Sequence, residues 1–272
     1  MREFVISEVT SLSNFIDNFF PELTNAQLNK LYKLRDIKVN GSRINKDVNL
    51  HFGDRVSFYI PEKDILPLNI DIVYQDDNIL IIDKEDGMNS EGVFNYLKRE
   101  RNIFFIHRID RNTKGLLIFA KNEVSEKILL NAFKERSVAK NYLALAYGKF
   151  TEKEKTLTAY LKKDAEKSKV YIYDKPVSDS QQIITKYKVI EEYDDSSLIE
   201  IELITGKTHQ IRAHFAYIGH FIIGDGKYGK EEINKKFKKT RQCLIAKTIK
   251  FENLSGILQY LNGKEFKSNK MF

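Results

Sequence analysis

A single cysteine, Cys243, stands among the 272 residues, and tryptophan is absent. One thiol supports neither a disulfide framework nor a cysteine-based zinc site. Only 4 prolines and 13 glycines occur, while 42% of the residues are hydrophobic, so collagen-like, low-complexity and disordered classes are excluded. No apolar run approaches the roughly 18 residues that a membrane span needs. Met1–Thr10 holds no apolar core of signal-peptide length. A cytoplasmic protein without a membrane partner is expected. The length suggests one large domain and a small one, and a chain of this size buries roughly 70% of the surface its unfolded form exposes.

Charge is plentiful: 45 basic residues against 38 acidic ones leave a net +7. Its placement is more informative than its sum. Ala26–Lys46 carries Lys30, Lys33, Arg35, Lys38, Arg43 and Lys46 against Asp36 alone, and Lys207–Lys250 is also strongly basic. Clusters of this kind suit a polyanion, although a solvated lysine-rich surface would read similarly.

The first 60 residues form one pattern. Leu12, Phe15, Ile16 and Phe19 are spaced like a helix face that Pro21 ends. Asn25 suits the N-cap of a second helix, with Leu28, Leu31, Tyr32 and Leu34 inward. A hairpin follows, turning at Asn40-Gly41 and closing with Arg55–Tyr59, before a proline-bounded linker at Pro61–Pro67. Beyond it the chain reads mainly as strands: Ile70–Tyr74, Ile79–Asp83, Gly115–Ala120, Tyr142–Tyr147, Ile183–Glu191, Leu198–Ile204 and Leu244–Phe251. Helices are expected at Val124–Glu135 and His209–Tyr217, the latter capped by Gly219. The tail after Gly263 reads as frayed. Runs of strands with few helices define an α+β fold, with a mixed, mostly antiparallel sheet in a domain spanning 63–272 and a small helix-and-hairpin domain spanning 1–62.

Three attractive motifs fail. Gly206-Lys207-Thr208 ends like a phosphate loop, but position 201 is Ile where that loop needs Gly. Gly224–Gly229 lacks the strand-helix context of a dinucleotide fingerprint and reads as a tight turn. His209, His214 and His220 are five and six residues apart, which does not place two ligands on one helix face. A metal site on these histidines is not expected.

Three other segments carry chemistry. In His107-Arg108-Ile109-Asp110-Arg111-Asn112-Thr113-Lys114-Gly115 a carboxylate lies between two arginines just before an apolar strand. Opposite charges favour its ionised form, which suits a nucleophile or base, and a turn aspartate capping local amides is the plainer alternative. In Thr205-Gly206-Lys207-Thr208-His209-Gln210-Ile211-Arg212 a strand gives way to a helix start rich in amides and polar side chains. In Lys140-Asn141-Tyr142-Leu143 a tyrosine opens a strand, where it faces either a pocket or the core.

Together these segments resemble, in order, the motifs of the ribosomal large subunit pseudouridine synthase family, whose members isomerise uridines in ribosomal RNA and some in transfer RNA. The resemblance spans roughly Ile70 to Phe251 and includes Asp-Asn-Ile-Leu-Ile-Ile-Asp-Lys before Glu85. The first 60 residues look like the small RNA-binding module known from a small-subunit ribosomal protein. The chain departs from the family at Lys84-Glu85-Asp86-Gly87, at Thr113-Lys114-Gly115 and at Lys207, and none of these removes a catalytic residue.

The resemblance implies an isomerase that needs no cofactor and no metal. It implies Asp110 as the catalytic carboxylate, which either attacks the sugar or removes a sugar proton. Arg212 is implied as its ion-pair partner, and Tyr142 as the ring stacked on the base and a candidate proton acceptor. Arg108, His107, Thr113, Lys207, Thr208, His209 and Gln210 are expected to bind substrate, with Arg108 filling the space left by the flipped uridine. Lys30, Lys33, Lys38 and Arg43 are expected to hold RNA phosphates. Ribosomal RNA is the expected partner of a monomer. Transfer RNA as substrate, a non-catalytic RNA-binding or ribosome-assembly protein, and a glycoside hydrolase needing a second carboxylate are the alternatives.

Overall fold

The computed structural model describes residues 2–23, 25–60, 67–164 and 167–272, with Asn25 described by its backbone alone. The linker read at Pro61–Pro67 lies outside them save for Pro67, as does the side chain of Asn25. The chain forms two compact units. One comprises Met1–Ile70 with Met88–Arg101, the other Asp71–Gly87 with Asn102–Phe272.

In the first unit β1 (Arg2–Val5), β3 (Ile37–Val39), β4 (Ser42–Ile44) and β6 (Arg55–Phe58) make a sheet of order β1-β6-β3-β4, and β2 (Thr10–Ser11) pairs with β5 (Asn49–Leu50). Asn40 and Gly41, at φ of +50° and +80°, form the tight turn that joins β3 to β4. α1 (Leu12–Phe19) starts where the Ser11 hydroxyl accepts from the Asn14 amide, 3.2 Å. Leu12, Phe15 and Ile16 of α1, Leu31 of α2 (Asn25–Leu34), and Ile37, Val56 and Phe58 of the sheet form its core. Phe19 and Leu34, expected inward, are 42% and 52% exposed. These short helices bury one narrow stripe, and both residues fall beside it.

The segment 88–101 falls in this unit although the sequence suggests a boundary near residue 62. It carries α3 (Ser90–Lys98), whose Asn89 side chain accepts from the Gly92 amide and donates to Asn18. A Cβ on Gly92 would stand 2.2 Å from the Asp17 carbonyl oxygen, so only glycine lets α3 lie against α1.

The second unit is built on one sheet. Its strands are β7 (Asp71–Gln75), β8 (Ile79–Lys84), β9 (Phe104–Phe105), β10 (Lys114–Ala120), β11 (Val138–Tyr147), β12 (Glu154–Asp164), β13 (Lys169–Tyr173), β14 (Gln181–Glu192), β15 (Ser196–Leu203), β16 (Leu244–Phe251) and β17 (Glu265–Lys267). The order is β13-β12-β14-β15-β11-β16-β10-β8-β7, with β17 on β16 and β9 on β10. Among the described strands only the β10–β16 pair runs parallel, so the sheet is mixed and mostly antiparallel. Leu129 and Ala132 of α4 (Glu123–Lys134) pack with Ile79, Ile118 and Phe251 in one core. Ile211 and Phe215 of α5 (Gln210–Tyr217) pack with Ala144, Ile199 and Ile201 in another. α6 (Glu231–Lys236) completes the unit.

The tail expected to fray is fixed. Ser268 is 2% exposed, its hydroxyl donates to the Asp83 carboxylate, and the Asn269 amide donates there too, at 2.9 Å. A buried carboxylate needs donors, and the tail supplies them.

Candidate active site

Asp110 lies on the loop that leads into β10. Three restraints hold that loop. Buried Ile109 joins the apolar cluster of Tyr142, Ile211 and Leu244. The Thr113 amide donates to the Asp110 carbonyl, 2.9 Å, and the Thr113 hydroxyl accepts from Gln242 Nε2, 2.6 Å. From below, the buried Lys84 ammonium donates to the carbonyls of Glu85 and Arg111, at 2.8 and 3.1 Å. Burial pulls that ammonium down to about 7, against the pull of Asp86 and Asp110. Gly115 then lets β10 meet β16: its φ is +111°, and a Cβ would stand 2.3 Å from the Ala246 carbonyl oxygen.

Arg212, one turn into α5 and 8% exposed, bridges two carboxylates. Its Nη1 donates to Asp110 Oδ2, 2.8 Å. Its Nε and Nη2 donate to Asp225 Oδ2 and Oδ1, at 2.7 and 2.9 Å. Burial works to raise the Asp225 carboxyl. The Arg212 hydrogen bonds and charge, with the amides of Lys227 and Tyr228, outweigh it and hold the group below the ordinary carboxylate range.

His209 caps α5 with a left-handed backbone, φ +55° and ψ +15°. Its Nδ1 lies 3.0 Å from the Tyr228 hydroxyl, which itself accepts from the Val170 amide, 2.9 Å. Burial pulls His209 down to about 4. Tyr142 is 8% exposed, and burial together with the Asp110 charge raises its phenol well above the usual range.

The ten side chains expected from the three segments all line one cavity of about 280 Å³. Several of them spend their polar atoms on the protein. Gln210 accepts from Thr205 and Lys207 and donates to Ile184 and Thr185, so its amide shapes the loop and is not free for a ligand. The Thr113 hydroxyl accepts from Gln242. His107 stacks on Phe133 with ring centroids 4.6 Å apart, and its Nε2 accepts from the Ile118 amide, 3.1 Å. Burial pulls His107 down to about 3. Asp110 and exposed Arg108 stand at the cavity. Of the remaining basic residues, Lys30, Lys33 and Arg43 are exposed on the first unit, and the Lys38 ammonium sits over the Tyr59 ring, 5.1 Å from its centroid.

Asp225, Lys84 and Lys140 were missed from the sequence. Asp225 reads as a turn residue, Lys84 as a strand-end charge, and Lys140 as a neighbour of Tyr142. The three histidines considered for a metal have separate partners: Tyr228 for His209, Thr185 for His214 and the Tyr147 carbonyl for His220. Among the described residues no three His, Cys, Asp or Glu side chains converge as a metal site.

A strand-borne cavity with a loop aspartate clamped by a helix arginine defines the class of site, and comparison with known proteins defines the family. The RNA pseudouridylate synthase family model matches residues 78–217. RNA pseudouridine synthase YlyB of Bacillus subtilis is 30% identical over 251 residues, covering 80% of this chain and 80% of its own. Ribosomal large subunit pseudouridine synthase C of Rickettsia conorii is 30% identical over 254 residues, covering 82% and 83%. The chain belongs to the RNA pseudouridine synthase family, isomerases that act on RNA. The solved structure of human RNA pseudouridylate synthase domain containing 1 shares the fold, with a TM-score of 0.61 at 23% identity over 75% of this chain and 90% of that one. No helix among the described residues is long and apolar enough to cross a membrane.

Proposed function

We propose that this enzyme isomerises uridines of large-subunit ribosomal RNA in the cytoplasm, as a monomer, with Asp110 as the catalytic carboxylate. The observation that carries the reading is the Arg212 clamp: it fixes Asp110 at the cavity wall and leaves part of the carboxylate free. Relatives named as large-subunit synthases support the choice of RNA.

The reaction breaks the bond from the anomeric carbon to a ring nitrogen, turns the base, rejoins it through a ring carbon and releases that carbon's hydrogen as a proton. Asp110 acts at the sugar. Arg212 keeps its charge compensated throughout, which matters because an unpaired charge in a desolvated site costs several kcal/mol. Ile109, Leu203 and Leu244 give the turning base apolar walls, and Tyr142 stacks on it. Burial and the Asp110 charge raise the Tyr142 phenol, so it meets the base as a neutral ring. Arg108, exposed at the cavity, fills the stack after the uridine leaves, a step costing a few kcal/mol. Lys30, Lys33, Lys38 and Arg43 hold phosphates on the first unit, which serves as the RNA-binding module.

Unmodified large-subunit ribosomal RNA and unmodified transfer RNA, incubated separately with the enzyme and mapped by carbodiimide-dependent primer-extension stops, test the substrate. New stops in the ribosomal RNA are expected; stops confined to transfer RNA would overturn that choice.

A further inference from the structure

Two cations on the cavity wall have opposite circumstances. Arg212 is neutralised by two carboxylates. Lys140 is neutralised by nothing: among the described residues its Nζ meets no carboxylate and no hydrogen-bond acceptor. It lies on β11 two residues before Tyr142, so both side chains leave the same face of the strand, and both line the cavity. The ammonium rests over the ring of Phe133, 5.2 Å from its centroid. Gly206 flanks it; a Cβ there would lie only 3.4 Å from Nζ, so the absent side chain leaves room beside the charge. The charge felt by Lys140 is a like one, Arg136, and burial together with that charge lowers the ammonium below its ordinary range. Asp110 is already held by Arg212.

A half-desolvated cation without a counter-charge is unfavourable until an anion arrives. The uridine that reaches Asp110 carries one with it, the phosphodiester of its own backbone. We propose that the wall formed by Phe133, Lys140 and Gly206 is a phosphodiester subsite, in which Lys140 pairs with a phosphate attached to the target uridine while Asp110 faces the sugar. A compact ammonium suits this recess better than a planar guanidinium, because it needs no bidentate geometry. The subsite sets how deeply the nucleotide enters, so Lys140 is a positioning residue. The proposal rests on the uridine-isomerase reading for the identity of the ligand.

The test compares wild type, Lys140→Met and Lys140→Arg in the full chain. Affinities for uridine, uridine 5′-monophosphate and uridine 3′-monophosphate are measured by ligand-observed NMR, and affinity for a short uridine-containing single strand is measured against salt. Wild type is expected to prefer one of the monophosphates to uridine by about tenfold. Lys140→Met should lose that preference with uridine binding unchanged, flatten the salt slope by about 0.7, and raise KM for RNA by a larger factor than it lowers kcat. Lys140→Arg should recover part of each. Lys140→Met should also melt no lower than wild type, since it removes an uncompensated charge. Equal weakening of uridine and the monophosphates would show that Lys140 reads the base and would overturn the proposal, as would an unchanged salt slope. A wild type that prefers the monophosphate yet isomerises no uridine would instead sink the isomerase reading and leave the subsite standing.

Discussion

Asp110 and Asp225 share one arginine and have opposite environments. Asp225 has 0% side-chain exposure and accepts four hydrogen bonds: Oδ1 from Arg212 Nη2 and the amides of Lys227 and Tyr228, and Oδ2 from Arg212 Nε. Its backbone is fixed as well, since Asn234 donates to the Asp225 carbonyl and accepts from the Gly224 amide. The Asp110 side chain is 20% exposed and takes a single hydrogen bond from Arg212. One carboxylate is enclosed by four donors and the other is left able to react. The turn at Asp225 is thus the anchor that makes Arg212 rigid, and the loop at Asp110 is where the unspent lone pairs face the cavity. Charge compensation and chemical availability are divided between two residues.

Removing the shared arginine should have the largest effect. Arg212→Met leaves Asp225 buried without its cation, so stability should fall by about 3–5 kcal/mol and isomerisation should become undetectable. Chemical denaturation together with a uridine turnover assay reads both, and an unchanged denaturation midpoint would mean that the bridge carries no stability. Asp225→Asn separates the two roles. It should cost about 1–3 kcal/mol and reduce turnover about tenfold through a loosened Arg212. A fully stable and wholly inactive Asp225→Asn protein would reverse the assignment of anchor and reagent.

The neutral histidines around the site give a pH signature. His107 is held near 3, and His209 and His214 near 4, all below the value of about 6.5 that each has when unfolded. The unfolded chain therefore binds more protons below pH 6.5, so stability is fully present above pH 6.5 and falls as the pH drops toward 4. Each histidine contributes a slope of about 1.4 kcal/mol per pH unit. Urea midpoints between pH 7 and 4.5 check this, and His214→Gln should flatten the slope by about one third. The smallest effect is expected outside the clamp. Arg108→Ala should slow single turnover on a structured RNA more than on a flexible strand carrying the same uridine. Equal losses on both would make Arg108 an ordinary phosphate contact, lowering the salt slope by about one.

Much of the clamp was legible in the sequence because its loop and helix start are local. Asp110 sits between charges before an apolar strand, and Arg212 sits one turn into a helix whose end Gly219 marks with a φ of +89°. What could not be read depends on distant partners. α3 was missed because Gly92 argues against a helix until the Asp17 carbonyl is seen against it. The β12–β13 hairpin hides its inward residues Leu157, Leu161 and Val170 among lysines and exposed tyrosines. The fixed tail relies on Asp83, 185 residues before Ser268. Lys84 and Lys140 look like surface charges, since burial leaves no local mark on a lysine.

Tritium release from RNA carrying uridine labelled at the ring carbon that forms the new bond tests the central claim most directly, because that hydrogen leaves only when isomerisation is completed. Wild type should release it without added metal or cofactor. Asp110→Asn should release none above background, a loss of at least about 10²–10⁴-fold, while keeping its denaturation midpoint and its RNA affinity. Release that persists in Asp110→Asn, or a folded, RNA-binding wild type that releases nothing from ribosomal or transfer RNA, would contradict the account.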